Sequence, residues 1–342
     1  MRKILCLLFA VGTVASPAVG AESFPETCAR LAAAAQRENR LAVAGRDGWL
    51  FLASELRHIG VGPFWGEFAA AASRAPRPEQ ADPLPVIVDF QKQLAQLGIE
   101  LILVPVPPKA LIYPDKLVET ASPAATAETE LARFYDLLRA QDVAVLDLAP
   151  RFLAERAAGE PAPLYCRQDS HWSGRACIVA AKAIAAAIAD RPWLAASERK
   201  EVELTEAEIE LQGDLWASLP EPRPERERIP VRRVQADQQP VAPDRASPVL
   251  LLGDSHVLAF HAGGDMQTAG AGLADQLAAE LGFPVDVLGV RGSGATPARI
   301  SLMRRARAES GYLADKKLVV WCFGAREFTE ATGWSPVPFS VP

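Results

Sequence analysis

A serine follows a fully apolar segment in the C-terminal half of the chain. The run Val249–Leu252 leads into Gly253, Asp254 and Ser255. In open α/β sheets, ligands bind at the carboxyl ends of strands, where such a serine presents its hydroxyl to the crevice. A helix starting there would also offer N–H groups to a developing oxyanion. The pattern predicts that Ser255 is the nucleophile of an acyl-transfer reaction; the alternative is a simple helix cap.

A nucleophilic serine needs a base, and a base needs an orienting group. Asp169 and His171 are two residues apart in a polar segment, so the carboxylate can bond one imidazole nitrogen and leave the other free. We therefore predict that His171 is the base and Asp169 its partner, with an N-cap cluster as the alternative. His256 adjoins Ser255 and is predicted to point elsewhere. The other two histidines are predicted to be structural or on the surface: His58 and His261.

A metal site is a second interpretation of the same residues. Asp169 with His171, and Asp254 with His256, form two Asp-x-His triplets, and carboxylate and imidazole ligands suit zinc or iron. However, a metal leaves the strand-Gly-Asp-Ser context unexplained, and the chain lacks a helical pair of histidines. We predict no metal and no cofactor.

A glycine-rich segment follows the next apolar strand and contains Arg291, Gly292 and Gly294. The full Gly-x-Gly-x-x-Gly spacing of dinucleotide sites is absent. We expect an active-site loop whose N–H groups complete an oxyanion hole, with Arg291 contacting substrate or stabilising charge. Trp172, beside the predicted base, is a further candidate contact. The alternative for the glycine-rich segment is an ordinary strand–helix turn.

The elements that must position these residues alternate between helices and buried apolar strands, which predicts an α/β fold with a mostly parallel sheet covered on both faces. The predicted strands are 49–52, 100–106, 143–148, 249–252, 285–290 and 318–323. The predicted helices are 28–45, 85–98, 125–141, 173–190, 268–281 and 297–309. The charged, proline-rich stretch 191–246 shows little periodicity and is predicted to be an irregular insertion or cap.

The first residues are typical of a secretory signal, with a short basic start, an apolar run and small residues before a cleavage site. We place the signal at 1–21, where an uncleaved signal would act as a membrane anchor, and one catalytic domain at 22–342.

The net charge of −6 and the absence of a basic stripe exclude nucleic acid as a partner. Disulfides and isolated buried thiols are both open for the remaining cysteines: Cys28, Cys166, Cys177 and Cys322.

Taken together, the motifs resemble the alginate O-acetyltransferase family of AlgJ and AlgX. The resemblance rests on Gly45-Arg-Asp-Gly-Trp-Leu-Phe-Leu, on Val104-Pro-Val-Pro-Pro-Lys with the following Ala-Leu-Ile-Tyr-Pro, on Asp169-Ser-His-Trp, and on Gly253-Asp-Ser-His, in the family's order. Trp321 and Arg326 resemble the family's closing strand. Because the chain ends soon after that strand, we expect an extent closer to AlgJ, without the carbohydrate-binding module of AlgX.

The resemblance implies a circularly permuted SGNH-hydrolase-like sandwich in which Asp and His precede the serine. It implies Ser255 as nucleophile, His171 as base, Asp169 as its partner and Arg291 as an active-site arginine. It also implies a periplasmic O-acetyltransferase that takes acetyl groups from a membrane-bound O-acyltransferase and acts on a secreted polysaccharide, alginate-like or other. An acetylesterase on the same residues and a non-catalytic polysaccharide-binding scaffold are the alternatives.

Overall fold

The computed structural model describes residues 22–122, 129–159 and 161–339, so the predicted signal at 1–21 lies outside the described residues. The strands are β1 (Ala42–Ala44), β2 (Leu50–Leu52), β3 (Glu100–Val106), β4 (Ala144–Val145), β5 (Glu203–Glu210), β6 (Arg228–Ala236), β7 (Gln239–Pro240), β8 (Val249–Gly253), β9 (Ala262–Gly263), β10 (Met266–Ala269), β11 (Asp286–Gly289) and β12 (Leu318–Gly324). The helices are α1 (Phe24–Arg37), α2 (Ala53–Gly60), α3 (Ala69–Ala72), α4 (Pro83–Gln96), α5 (Lys109–Ile112), α6 (Pro114–Leu117), α7 (Glu130–Arg139), α8 (Ala149–Ala157), α9 (Gly174–Ala187), α10 (Pro192–Ala195), α11 (Asp214–Ala217), α12 (Leu273–Leu281), α13 (Thr296–Ala308) and α14 (Glu327–Glu330).

Five parallel strands form the central sheet in the order β11-β8-β12-β3-β4. Both parts of the chain contribute to it, since β3 and β4 precede the stretch 191–246 and the other three strands follow it. The inner strands are continuous apolar runs because both of their faces are buried. This confirms the predicted α/β fold with a parallel sheet.

Alternate residues of β8 enter different halves of the core. Val249 and Leu251 pack into the layer that contains α1, α9 and α12. Leu250 and Leu252 pack into the layer that contains α4, α7 and α13. The sheet is therefore held between two helical layers, which gives the strand ends a rigid support.

The sharp turn after β8 depends on Gly253. A Cβ atom at this position would overlap the carbonyl oxygen of Cys322 on the neighbouring strand β12. The chain then enters a short 3₁₀ turn, Ser255–Val257, in which the Asp254 side chain accepts a hydrogen bond from the His256 N–H. The α-helix predicted directly after Ser255 is thus wrong, because this local side-chain bond closes a single tight turn instead.

The stretch 191–246 is not irregular throughout, contrary to the sequence prediction. β5, β6 and β7 form an antiparallel sheet within it. The sheet packs on the core through β6, where Ile229 and Val231 are buried and Arg232 bonds Gln276 of α12 at 2.8 and 2.9 Å. The outward side of β5 is almost entirely exposed, so its sequence lacks the clear alternation of a half-buried strand.

The predicted helix 28–45 is also wrong at both ends. A capping box between Ser23 and Glu26 starts α1 earlier, and the helix ends at Arg37. Asn39 then adopts a left-handed φ of 50°, and Val43 pairs with Phe51 in a short hairpin.

Two other predicted elements differ from those in the structure. Of the predicted strand 143–148, only two residues pair with the edge of the sheet. Likewise, the start of the predicted helix 268–281 belongs to the β9–β10 hairpin.

The cysteines in the described part of the chain are free and buried, which matches the alternative of isolated thiols: Cys28, Cys166, Cys177 and Cys322. Burial raises the pKa of each thiol, that of Cys28 to about 12. The thiols are therefore neutral and poorly nucleophilic.

Among the residues that the structure describes, no helix has the length and apolar character needed to cross a membrane.

Candidate active site

The three residues predicted to act together meet at the carboxyl end of the central sheet. Ser255 follows β8, while Asp169 and His171 lie on the loop before α9. The two ends of that loop are joined by backbone pairing. Ser173 N–H donates to Leu164 O at 2.8 Å, and Tyr165 pairs with Trp172 in an isolated antiparallel β-bridge. These contacts within the loop help to hold Asp169 and His171 in position for the reaction.

The three side chains form a hydrogen-bonded row. His171 Nε2 lies 2.7 Å from Ser255 Oγ, and His171 Nδ1 lies 2.6 Å from Asp169 Oδ1. The same Asp169 oxygen accepts the His171 backbone N–H at 2.9 Å. With Nδ1 held by the carboxylate, Nε2 is the nitrogen that accepts the serine proton. This arrangement matches the geometry required for a base-activated serine nucleophile.

The second oxygen of Asp169 is held by residues from two other segments. Asp214 N–H donates to Oδ2 at 3.2 Å, and Gln267 Nε2 donates to it at 3.1 Å. The Asp214 carboxylate in turn accepts the Ser170 backbone N–H at 2.7 Å. Both carboxylate oxygens of Asp169 are therefore occupied, and the ring of His171 is fixed in one orientation.

Electrostatics keep Asp169 ionised. Burial alone would raise the pKa of Asp169, but the charge and hydrogen bonds of His171 hold it well below its usual range. Burial alone would likewise lower the pKa of His171, but the Asp169 carboxylate raises it above the usual value of 6.5. A carboxylate beside an imidazole stabilises the imidazolium that forms when the serine loses its proton.

This pKa shift predicts the pH dependence of the reaction. His171 must be neutral to accept a proton, so kcat/KM for an ester substrate should fall as the pH decreases through the raised pKa of His171. We expect the midpoint of this acidic limb above 6.5, the usual pKa of the imidazole. A profile of initial rates against pH, at constant ionic strength, measures it. A midpoint below that value would contradict the assignment of the Asp169-bonded imidazole as the base.

A buried lysine supports the loop from below. Lys109 Nζ donates to the backbone carbonyls of Asp169 and Leu50, each at 2.7 Å, and its own backbone N–H donates to Glu55 Oε2 at 2.9 Å. The side chain is 1% exposed, and burial lowers its pKa although Glu55 opposes the shift. Lys109 thus ties the Asp169 loop to β2 and α2, and it belongs to the proline-rich motif noted in the sequence.

The second Asp-x-His triplet is a structural pair. Asp254 Oδ1 accepts His256 N–H at 2.8 Å and lies 2.9 Å from His256 Nδ1, while Oδ2 accepts Gly324 N–H at 2.9 Å. Both side chains are 1% exposed. Burial lowers the pKa of His256 despite the Asp254 charge, so its imidazole is neutral. The pair joins the turn after β8 to the end of β12 and lies behind the nucleophile, as predicted for His256.

Substituting Asp254 should therefore destabilise the fold. Asp254→Ala leaves two backbone donors and the His256 ring without their acceptor in a buried site. We expect the free energy of unfolding to fall by about 3 kcal/mol. Urea unfolding followed by circular dichroism measures the change, with Asp254→Asn as the milder comparison because it keeps one acceptor oxygen. A loss below about 1 kcal/mol for the alanine variant would contradict this role.

Ligand-type atoms of Asp169, His171 and Asp214 lie within 4.8 Å of one another, so a metal must be considered. Both ring nitrogens of His171 already have partners, Asp169 and Ser255. A metal bound by His171 would have to displace one of these hydrogen bonds. The donor set therefore fits a serine nucleophile and its base better than a metal site.

A cavity of about 610 Å³ opens above Ser255. Its walls include Asp169, His171, Arg291 and Gly292, so the structure brings these predicted residues together around the nucleophile. Two other predicted contacts lie behind the wall. Trp172 is fully buried and donates its Nε1–H to His256 O at 3.2 Å. Gly294 is also buried, where its carbonyl accepts the Trp321 Nε1–H at 2.8 Å.

Several residues around the cavity were not predicted. Asp214 and Gln267 hold Asp169, and Asp265 forms an ion pair of 2.6 Å with Arg291. Asp214 lies in the stretch predicted to be irregular, and the other two lie on the β9–β10 hairpin. The only signal in the sequence was the glycine pair 263–264, which marks a turn. Nothing in the spacing indicated that this turn reaches the active site.

Comparisons with known proteins agree with this architecture. The structure is similar to the O-acetyltransferase domain of Pseudomonas putida AlgJ, with a TM-score of 0.62 and 23% identity over 84% of this chain and 92% of that one. It is also similar to Pseudomonas aeruginosa AlgX, with a TM-score of 0.57 and 18% identity over 83% of this chain and 61% of that one. At these identities the two structures establish the fold.

Sequence relatives include proteins named probable alginate O-acetylase AlgJ. Those of Pseudomonas syringae pv. tomato and Pseudomonas aeruginosa are each 27% identical over 179 residues, which is 52% of this chain and 41% of each relative. The chain thus matches less than half the length of these curated relatives. The model of the family described as "SGNH hydrolase-like domain, acetyltransferase AlgX" matches residues 42–325. Since this match spans most of the sequence, the chain belongs to the AlgX family of SGNH hydrolase-like acetyltransferase domains.

Proposed function

We propose that the chain is an O-acetyltransferase that moves acetyl groups to hydroxyls of an exopolysaccharide through an acyl-enzyme on Ser255. The observation that carries the proposal is the row Ser255–His171–Asp169, with successive distances of 2.7 and 2.6 Å, at the base of an open cavity. Family membership supports the acetyl group as the transferred unit. The relatives named alginate O-acetylases support a polysaccharide as acceptor.

In the first half-reaction, Ser255 Oγ attacks the carbonyl carbon of the acetyl donor while His171 Nε2 takes the hydroxyl proton. The Asp169 carboxylate stabilises the imidazolium. We assign the backbone N–H groups of Ser255 and Gly292 to the developing oxyanion; each such donor contributes about 3 kcal/mol in serine enzymes. The tetrahedral intermediate then collapses, the C–O bond to the leaving group breaks, and His171 returns the proton to that group.

In the second half-reaction, a sugar hydroxyl enters the cavity and His171 Nε2 takes its proton. The sugar oxygen attacks the acetyl carbon, the bond to Ser255 Oγ breaks, and the serine regains its proton from His171. If water instead of a sugar hydroxyl attacks the acetyl-enzyme, the protein is an acetylesterase. A vestigial site gives a polysaccharide-binding scaffold that binds glycans and reacts with no serine-directed reagent. The two alternatives are outcomes of the experiment below.

We further propose that the protein works in the periplasm. The support is the signal-like sequence at 1–21. A periplasmic enzyme cannot draw directly on the cytoplasmic acetyl pool, so the acetyl group must cross the membrane on another protein. The family resemblance implies a membrane-bound O-acyltransferase as that donor.

The experiment uses the purified chain with p-nitrophenyl acetate as donor and a panel of oligosaccharides as acceptors. We expect acetylated oligosaccharide in the mass spectrum, together with faster nitrophenol release when an acceptor is present. Release of acetate with no acetylated sugar would establish the esterase instead. Oligosaccharide binding without nitrophenol release, unchanged by Ser255→Ala, would establish the scaffold.

A further inference from the structure

The charges that line the cavity bear on the choice of acceptor. We infer that the acceptor is an uncharged glycan, and that Asp265 disfavours glycans with a carboxylate on each sugar. The inference rests on the proposed acetyltransferase function. Among the described residues that line the cavity, the acidic ones are Asp169, Asp214 and Asp265. The basic ones are Arg291 and the catalytic candidate His171.

Arg291, the one arginine among the described lining residues, is already paired with a protein carboxylate. Arg291 Nη2 lies 2.6 Å from Asp265 Oδ1, and the two side chains are 57% and 65% exposed. Asp265 sits at the turn of the β9–β10 hairpin, opposite the glycine-rich loop that carries Arg291. The pair therefore lies at the opening of the cavity, and an acceptor carboxylate would have to compete with Asp265 for Arg291.

The rest of the wall suits neutral sugars. Gln212 offers an amide group, which both donates to and accepts from hydroxyls. The NH₂ group of Gln267 is held by Asp169, so Gln267 offers its carbonyl oxygen as an acceptor. Met266 is half-buried and adds apolar surface for the C–H face of a sugar ring, whereas Phe260 and Ala259 line the cavity but are almost fully buried. Asp214 is exposed at the same wall, and its carboxylate, which already accepts hydrogen bonds from Ser170, would repel a uronate. Like charges placed opposite each other are a common means of excluding the wrong partner.

The test compares two acceptors that differ only at C6. These are a β-(1→4)-linked mannose oligosaccharide and a β-(1→4)-linked mannuronate oligosaccharide of equal length, with p-nitrophenyl acetate as donor. We expect the neutral glycan to be acetylated with a kcat/KM about tenfold or more above that of the uronate at low ionic strength. Added salt should narrow the gap, because it screens repulsion between exposed charges.

Asp265→Asn makes the test specific. The variant keeps the shape of the side chain but frees Arg291, so the ratio of uronate to neutral acetylation should rise about tenfold. Asp142→Asn, an exposed change at the opposite end of the sheet, is the matched control and should leave the ratio as it is. Equal use of both acceptors, preference for mannuronate, or no response of the ratio to Asp265→Asn would overturn the inference and leave the acetyltransferase intact. Failure to acetylate either glycan would overturn the proposed function, and the inference with it.

Discussion

Ser255→Ala should lower the rate of nitrophenol release from p-nitrophenyl acetate by about 10⁴-fold or more, since loss of the nucleophile removes the covalent route and leaves only the oxyanion donors and binding. The hydroxyl is 2.7 Å from His171 Nε2, and no other serine contacts that nitrogen among the described residues. The substitution removes one oxygen at a position that is 8% exposed, so the fold should persist.

The measurement is the initial rate of the purified variant beside that of Ser197→Ala. Ser197 lies after α10, away from the cavity, and donates to Trp193 O at 3.0 Å. This control should keep the full rate. If Ser255→Ala retained a tenth of the activity, another residue would have to be the nucleophile, and the proposed mechanism would be lost.

Asp169→Asn should have the second largest effect, a fall of about 10³- to 10⁴-fold in kcat. The carboxylate accepts both the His171 backbone N–H and its Nδ1–H. An amide can present its NH₂ group to Nδ1, which favours the tautomer with the proton on Nε2, where it can no longer take the serine proton. It also cannot stabilise the imidazolium.

The effect should lie in catalysis and not in folding, because asparagine keeps the shape and one acceptor oxygen. Steady-state rates and thermal unfolding should be measured on the same samples, with Asp136→Asn as control, since the Asp136 side chain is 78% exposed on α7. A variant that unfolds early and recovers full specific activity in its folded fraction would show that Asp169 has only a structural role.

The residues of the proposed row could be predicted because each has a local signal. Ser255 follows a five-residue buried strand, and Asp169 and His171 have the spacing that lets one side chain bond the other. Roles that depend on distant segments could not be predicted. Gln267 reaches Asp169 across 98 positions of sequence, and Asp265 meets Arg291 only because the β9–β10 hairpin folds over the cavity. Lys109 was noted within a motif, but its contact with the Asp169 carbonyl depends on how α5 packs below the loop.

The fold shows the same division between local and distant information. The parallel strands were predictable because burial on both faces makes them continuous apolar runs, as in β3, β8 and β12. The alanine-rich segment after Cys28 predicted too long a helix, since helix propensity carries no information about the pairing of Val43 with Phe51. β5 was missed because most of its residues are exposed and charged, and its inward residues Ala207 and Ile209 are only partly buried.

The central claim is an acetyl group carried on Ser255, and trapping it is the most direct test. The purified chain is mixed with p-nitrophenyl acetate, quenched within the first turnover, digested and analysed by mass spectrometry. The account predicts one acetyl group on the peptide that contains Ser255, its absence in Ser255→Ala, and its faster loss when an acceptor glycan is added before the quench. Nitrophenol release with the Ser255 peptide unmodified at every time point would contradict the account.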